Sequence, residues 1–258
     1  MAVDKTRAIV IRTTPFGETS SVVTIYCRDF GKLRALAKGA WRPKSGFDGG
    51  LDLLSTSQVL VLRKSSGALD LLTEAALESR FRVGSSLTAV LGGLRVAELL
   101  DALSADADPQ PELFDVAHAT IRRLSGWSGD ESPLSALMVG FELAALRITG
   151  HGPVLSRCAE CHGRLADAPR TAFGMLDGGT LCLRCRAGRR GVVSVSASAL
   201  AALRLLADHR VAPDDVNLPP AEAGEVRGIM TTLLSHLLGR PLRVPATLPR
   251  AGRRARRS

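Results

Sequence analysis

Four of the five cysteines stand as two C-x-x-C pairs, Cys158 and Cys161 in CAEC and Cys182 and Cys185 in CLRC, with twenty residues between the pairs. Each such turn can aim two thiolates at one ion, and two turns close the tetrahedral shell that Zn2+ prefers. Four thiolates leave no position for water or substrate. The expected ion is therefore a single structural zinc, contributing on the order of 10–16 kcal/mol of apparent folding free energy. The segment between the pairs carries Gly178 and Gly179 just before CLRC, as a tight hairpin requires. Other chemistries share these letters. CAECH, Cys158 to His162, has the spacing that attaches c-type haem, and one C-x-x-C alone can be a redox dithiol. His162 and His151 could replace a thiolate in principle, but both are expected to sit near the site without binding. The doubled motif favours metal, and Cys27, alone in an apolar run, reads as a small core residue.

A second stretch has binding rather than ligating chemistry. In KLRALAK, Lys32, Arg34 and Lys38 fall on one face of a strand and Leu33, Ala35 and Ala37 on the other. Trp41, Arg42 and Lys44 follow in KGAWRPKS, so that Arg28 to Lys44 holds six cations, one acid and one indole. One reading is a solvated strand face with the Trp folded onto it. The other is a track for single-stranded nucleic acid, with the cations on phosphates and Trp41 stacked on a base for about 1–3 kcal/mol.

Catalytic patterns are missing. The chain has no G-x-x-x-x-G-K-[ST] loop, no G-x-G-x-x-G after a strand, no G-x-S-x-G elbow and no H-E-x-x-H, and its five histidines form no constellation. An enzyme reading has no candidate residue, and none is expected.

The elements that must position these groups can be read from periodicity. AIVIRT (8–13), SVVTIYC (21–27), KLRALAK (32–38), SQVLVLR (57–63) and ALDLLTEAAL (68–77) are five short strands broken by turns. With a long link between the third and fourth, they match an OB-type Greek-key barrel, although an SH3-like barrel would look similar. From about residue 85 the period becomes 3.6. Leu87, Leu91 and Leu94 begin one stripe, Leu113, Ala117, Ile121 and Leu124 a second, and Leu134, Leu137, Met138, Phe141, Ala145 and Ile148 a third. Ser132, Pro133 and Gly150 are placed to start and stop the third helix. Helices resume with Leu200, Leu203 and Leu206, then with Val226, Ile229, Met230, Leu233 and Leu237. The fold class is thus α+β: an N-terminal OB-type β-barrel over 1–80, an α-helical domain in two parts (81–150 and 191–245), an inserted four-cysteine zinc module (151–190) and a basic disordered tail (246–258).

Charge adds to this picture. The chain of 258 residues has a net charge of +9, but residues 1–80 carry twelve Lys/Arg against eight Asp/Glu, while residues 81–150 carry five against nine. An acidic middle beside a basic barrel suggests separate surfaces with separate partners, the basic one suited to a polyanion. No apolar leader opens the chain and nowhere do eighteen apolar residues run together, so neither export nor membrane spanning is expected.

The order AIVIRTTPFGETSSVVTIYCRDFGKLRALAKGAWRPKS, the cysteines with GGTLCLRC, and LLSHLLGRPLR near the end resemble the RecO family of bacterial recombination mediators, from about residue 5 to 245. The most specific parts are FGE…FGK…KGA and HLLGRPL. The resemblance implies an OB fold, a helical domain and a zinc module. It also implies a cytoplasmic, nucleoid-associated and non-enzymatic activity: binding single- and double-stranded DNA, annealing complementary strands, and acting with RecR to load RecA onto DNA covered by single-strand DNA-binding protein. The family's DNA-binding basic residues correspond to Lys32, Arg34, Lys38, Arg42 and Lys44. The family usually has a basic residue where this chain has Trp41, so stacking by Trp41 rests on the residue reading alone. The competing reading is an RNA-binding protein of transcription or translation built from the same barrel and ribbon.

Overall fold

The computed structural model describes residues 3–43, 45–47, 49–64, 69–129 and 132–245. Lys44 and the tail 246–258 lie outside the described residues.

Five strands, β1 (Val3–Phe16), β2 (Ser20–Cys27), β3 (Gly31–Ala37), β4 (Thr56–Leu62) and β5 (Asp70–Ser79), close into a barrel of order β1-β2-β3-β5-β4. Closure comes from antiparallel β1–β4 pairing, and among the five barrel strands only β3 and β5 pair in parallel, at Ala35↔Asp70 through Ala37↔Leu72. This is the OB arrangement, which removes free sheet edges. Alternation along β3 sends Leu33, Ala35 and Ala37 inward to join Val23, Ile25, Val59, Val61 and Leu72, and the small alanines suit the narrow interior of a five-stranded barrel. Cys27 is fully buried in that core, where burial pushes its thiol far above the ordinary range.

The outer faces of β1 and β2 are not free along their whole length. Ile9, Ile11 and Tyr26 point out of the barrel into a second core built by α1 (Leu87–Leu103), α2 (Pro111–Leu124), α3 (Ser132–Ile148), α4 (Ala197–Ala207) and α5 (Pro220–Leu238). The α2 and α3 stripes are buried as their periodicity predicts, apart from Ile148, which is half-buried. Gly150, with φ +79°, ends α3 as expected. The α1 stripe is a correction. Leu87 is 50% exposed and Leu91 and Leu94 are only half-buried, while Ala89, Gly92, Gly93, Val96, Leu99 and Leu100 face the core. The two glycines let neighbours close in: a Cβ at Gly92 would meet Met138 Sδ at 3.0 Å, and one at Gly93 would meet Leu54 Cδ1 at 2.7 Å. On α5 Leu234 takes the buried place and Leu237 is exposed.

Between α3 and α4 runs a three-stranded sheet of order β7-β6-β8, with β6 (Arg170–Gly174), β7 (Gly179–Leu181) and β8 (Val192–Ser196). Phe173, Met175 and Val195 anchor it in the helical core. Ser196 ends β8 and caps α4, its hydroxyl accepting from the Ala199 N–H at 3.2 Å. No helix among the described residues is long and apolar enough to cross a membrane.

Candidate nucleic-acid interface and metal centre

The sheet brings the two C-x-x-C turns together. Gly178 takes φ +66° in the β6–β7 turn, and a side chain at Gly179 would collide with the carbonyl of Val154, so the chain before the first pair packs directly on the strand leading to the second. Ala159 N donates to Thr180 O at 2.7 Å, and the Thr180 hydroxyl donates to Arg157 O at 2.7 Å. The Sγ atoms of Cys158, Cys161, Cys182 and Cys185 consequently lie within 4.8 Å of one another, with Cys161 and Cys182 3.8 Å apart. A tetrahedron with metal–sulfur bonds of about 2.3 Å has edges of about 3.8 Å, so the four thiols fit one ion. Burial opposes ionisation of Cys158, but backbone N–H groups of Cys161, Cys182 and Glu160 pull its thiol down to about 6, while the crowded thiols of Cys182 and Cys161 push Cys185 up to about 12, so the cluster titrates as a set. The histidines stand aside. His162 is exposed in the left-handed region at φ 57°, its N–H bonded to Cys158 O, and His151 contacts Thr149. The four thiols of the two pairs thus converge on one point where a single metal ion could be held.

The basic face divides into two parts. Lys32 points out of the barrel as predicted, but α1 covers it. Its Nζ donates to the carbonyls of Asp101 (2.8 Å) and Ser104 (2.9 Å) and lies 3.5 and 3.4 Å from the carboxylates of Asp101 and Asp106. With its side chain 13% exposed, it is a strut between barrel and helices rather than a free cation on a binding face. Its neighbours follow the same pattern. Arg28 makes a two-pronged pair with Asp115 (3.0 and 2.9 Å), and Arg12 pairs with Asp101. At the hairpin tip, Gly31 takes φ +67°, and any Cβ there would run into the backbone of Asp108. Asp101, Asp106 and Asp115 of the helical domain thus serve the barrel contact, which corrects for these three the expectation that the acids form a surface apart.

Beyond Lys32 the face opens. Arg34 and Lys38 are exposed, and neither makes an ion pair with a described residue. Trp41 and Arg42 follow in the turn after β3. Trp41 N donates to Thr19 O, and its indole N–H to Ser21 Oγ, each at 2.9 Å, which pins the loop to the β1–β2 turn while the ring stays 58% exposed. Arg42 is exposed, its side chain running over Gly39, and makes no ion pair with a described residue. Trp41, Arg42, Pro43 and Phe47 line an open cleft of about 570 Å³. Lys38, Trp41 and Arg42 therefore share the open end of the barrel, Lys32 sits at the docked end, and Arg34 lies on β3 between them, level with Thr24. Sequence reasoning missed the neutralising role of Asp101, Asp106 and Asp115; the acidic excess after residue 81 was the available signal.

Known proteins extend the comparison over the whole chain. Residues 1–81 match the family model described as Recombination protein O N terminal, and residues 84–246 the one described as Recombination protein O C terminal. The chain is 35% identical to a DNA repair protein RecO of Rhodopirellula baltica, covering 94% of this chain and 97% of that one. It is 30% identical to the RecO of Myxococcus xanthus (92% and 93% covered) and 33% identical to that of Frankia casuarinae (97% and 100%). With both halves matched and the relatives covered almost end to end, the chain belongs to the RecO family of DNA repair proteins.

Proposed function

We propose that this chain is a non-enzymatic DNA-binding mediator of recombinational repair that works by neutralising charge. Arg34, Lys38 and Arg42, with Lys44 beside them in sequence, take phosphates of single- or double-stranded DNA, and Trp41 stacks on a base. Covering phosphates on two strands lowers the repulsion that opposes their pairing, so complementary strands anneal. In this reading the protein acts with RecR to load RecA onto DNA covered by single-strand DNA-binding protein, in the bacterial cytoplasm at the nucleoid. Lys32 contributes indirectly, by holding the barrel against α1. The ion of the four-cysteine cluster is Zn2+, which when bound would stabilise the module and leave no open position for catalysis.

The observation that carries the reading is the split along β3: the cations at the docked end are paired, and those at the open end have no acidic partner among the described residues. Annealing of complementary oligonucleotides tests it. The protein should speed annealing at low salt and lose the effect as salt rises, and the R34A/K38A/R42A variant should anneal no faster than buffer. Full annealing by that variant would contradict the assignment.

A further inference from the structure

We infer that Phe16 is a second base-stacking platform, which extends the proposed track across β1 and makes it selective for unpaired bases; this rests on the nucleic-acid reading above. Phe16 is the last residue of β1, pairs with Ser20 across a turn carrying Gly17 at φ +65°, and is 58% exposed. The registers define what surrounds it. Inward positions on β2 and β3 are Val23, Ile25, Leu33, Ala35 and Ala37, so the outward ones are Ser20, Val22, Thr24, Arg34 and Leu36. Across the sheet, Arg12, Thr24 and Arg34 form one row, Thr14, Val22 and Leu36 the next, and Phe16 with Ser20 the last. Rows two residues apart are separated by about 6.8 Å. Val22 and Leu36 are themselves half-exposed, so an apolar floor runs from Arg34 to the phenyl ring.

Phe16 is not an isolated exposed side chain: with half-covered Val22 and Leu36 in the next row it forms one continuous apolar strip, the feature that distinguishes a contact surface from scattered exposed residues. Its surroundings select the occupant. Trp41 is tied to Thr19 and Ser21 of the same turn, and the Gly39 N–H to Ser20 Oγ at 3.1 Å, which brings Lys38 and Arg42 to the same barrel end. Glu18 is the acid of the turn itself. Two exposed rings bordered by cations that have no acidic partner among the described residues fit a polyanion with flat apolar faces, which describes single-stranded nucleic acid. A duplex keeps its bases stacked on one another and gains nothing from the rings.

The test uses the full chain, with oligo-dT and a duplex of equal length as probes read by fluorescence anisotropy. F16A and F16L should each weaken oligo-dT binding by about tenfold, F16Y should bind within about twofold of the parent, and duplex binding should not change. The salt dependence of oligo-dT binding should be the same in all of them, since no phosphate contact is removed. If F16L binds as tightly as the parent, the contact is not stacking and the inference is overturned. If F16A also binds like the parent while R34A binds weakly, stacking at Phe16 fails and the charged track stands. If neither F16A nor R34A weakens binding, both fall.

Discussion

Lys32 is held twice by Asp101: its Nζ donates to the Asp101 carbonyl at 2.8 Å and lies 3.5 Å from the same residue's carboxylate. With the Ser104 carbonyl at 2.9 Å, it covers the C-terminal end of α1, where backbone carbonyls have no partner within the helix and the helix dipole favours a cation. Replacing Lys32 by Met keeps the stem and removes the donor. The expected cost is about 1–3 kcal/mol, and denaturant unfolding measures it. DNA affinity at low salt should fall less in K32M than in R34A, whose stability should match the parent. Equal stability in the two variants would mean that the strut does not hold the barrel.

The difference between Lys32 and Arg34 also shows where sequence reading stops. Both occupy outward positions of one strand, and period-two alternation cannot tell them apart. What separates them is the docking of α1, some seventy residues later, against one end of the hairpin. The barrel was legible because Leu33, Ala35 and Ala37 alternate with polar residues, and the metal cluster because C-x-x-C spacing sets local geometry. The face of α1 was not, because Gly92 and Gly93 give no hydropathic signal although they allow the closest packing. A lone aromatic such as Phe16 at a strand end is indistinguishable in sequence from a core residue, and only its exposure marks it.

Inside the helical domain Arg95 pairs with Glu142, both almost fully buried, and Arg95 Nη1 donates to Val244 O at 3.1 Å. Burial raises the Glu142 carboxyl, which the guanidinium opposes. Removing one partner strands a charge in the core, so R95M should cost about 3–5 kcal/mol, while R95M/E142L should cost less than R95M alone. A double-mutant cycle measured by denaturant unfolding checks this, and additive costs would contradict it.

Glu98 fastens the segment after α5. It accepts from the N–H groups of Arg243 and Val244, each at 2.9 Å, and from the Arg240 guanidinium. Burial alone would raise its carboxyl, but these donors together hold it below the ordinary 4.5. A folded-state pKa below the unfolded one adds stability that is present above the unfolded value and lost as pH falls through the folded value. The stability difference between the parent and E98Q should therefore be constant above about pH 5 and shrink as pH falls below 4.5. A difference that grows toward low pH would reverse the sign and refute the latch.

The thiol cluster predicts one zinc ion per chain and none in C161S. Chelation should open the two C-x-x-C turns to proteolysis, because around the thiols only the small apolar cluster of Cys158, Ala172 and Leu181 is buried among the described residues, whereas Phe173 and Met175 pack into the helical core. Oligo-dT binding by the barrel, whose core is separate, should change by less than about twofold, within the spread expected of independent sites. Tight proteolytic resistance after complete metal removal would show that the module folds without an ion.

The central claim is that the open end of β3 and the turn after it bind phosphates. The slope of log affinity for oligo-dT against log salt concentration measures those contacts directly, at about 0.7 per phosphate for a single strand. In R34A/K38A/R42A the slope should fall in magnitude by about 2 relative to the parent. A slope equal to the parent's, with unchanged affinity at low salt, would place the nucleic acid elsewhere on the molecule.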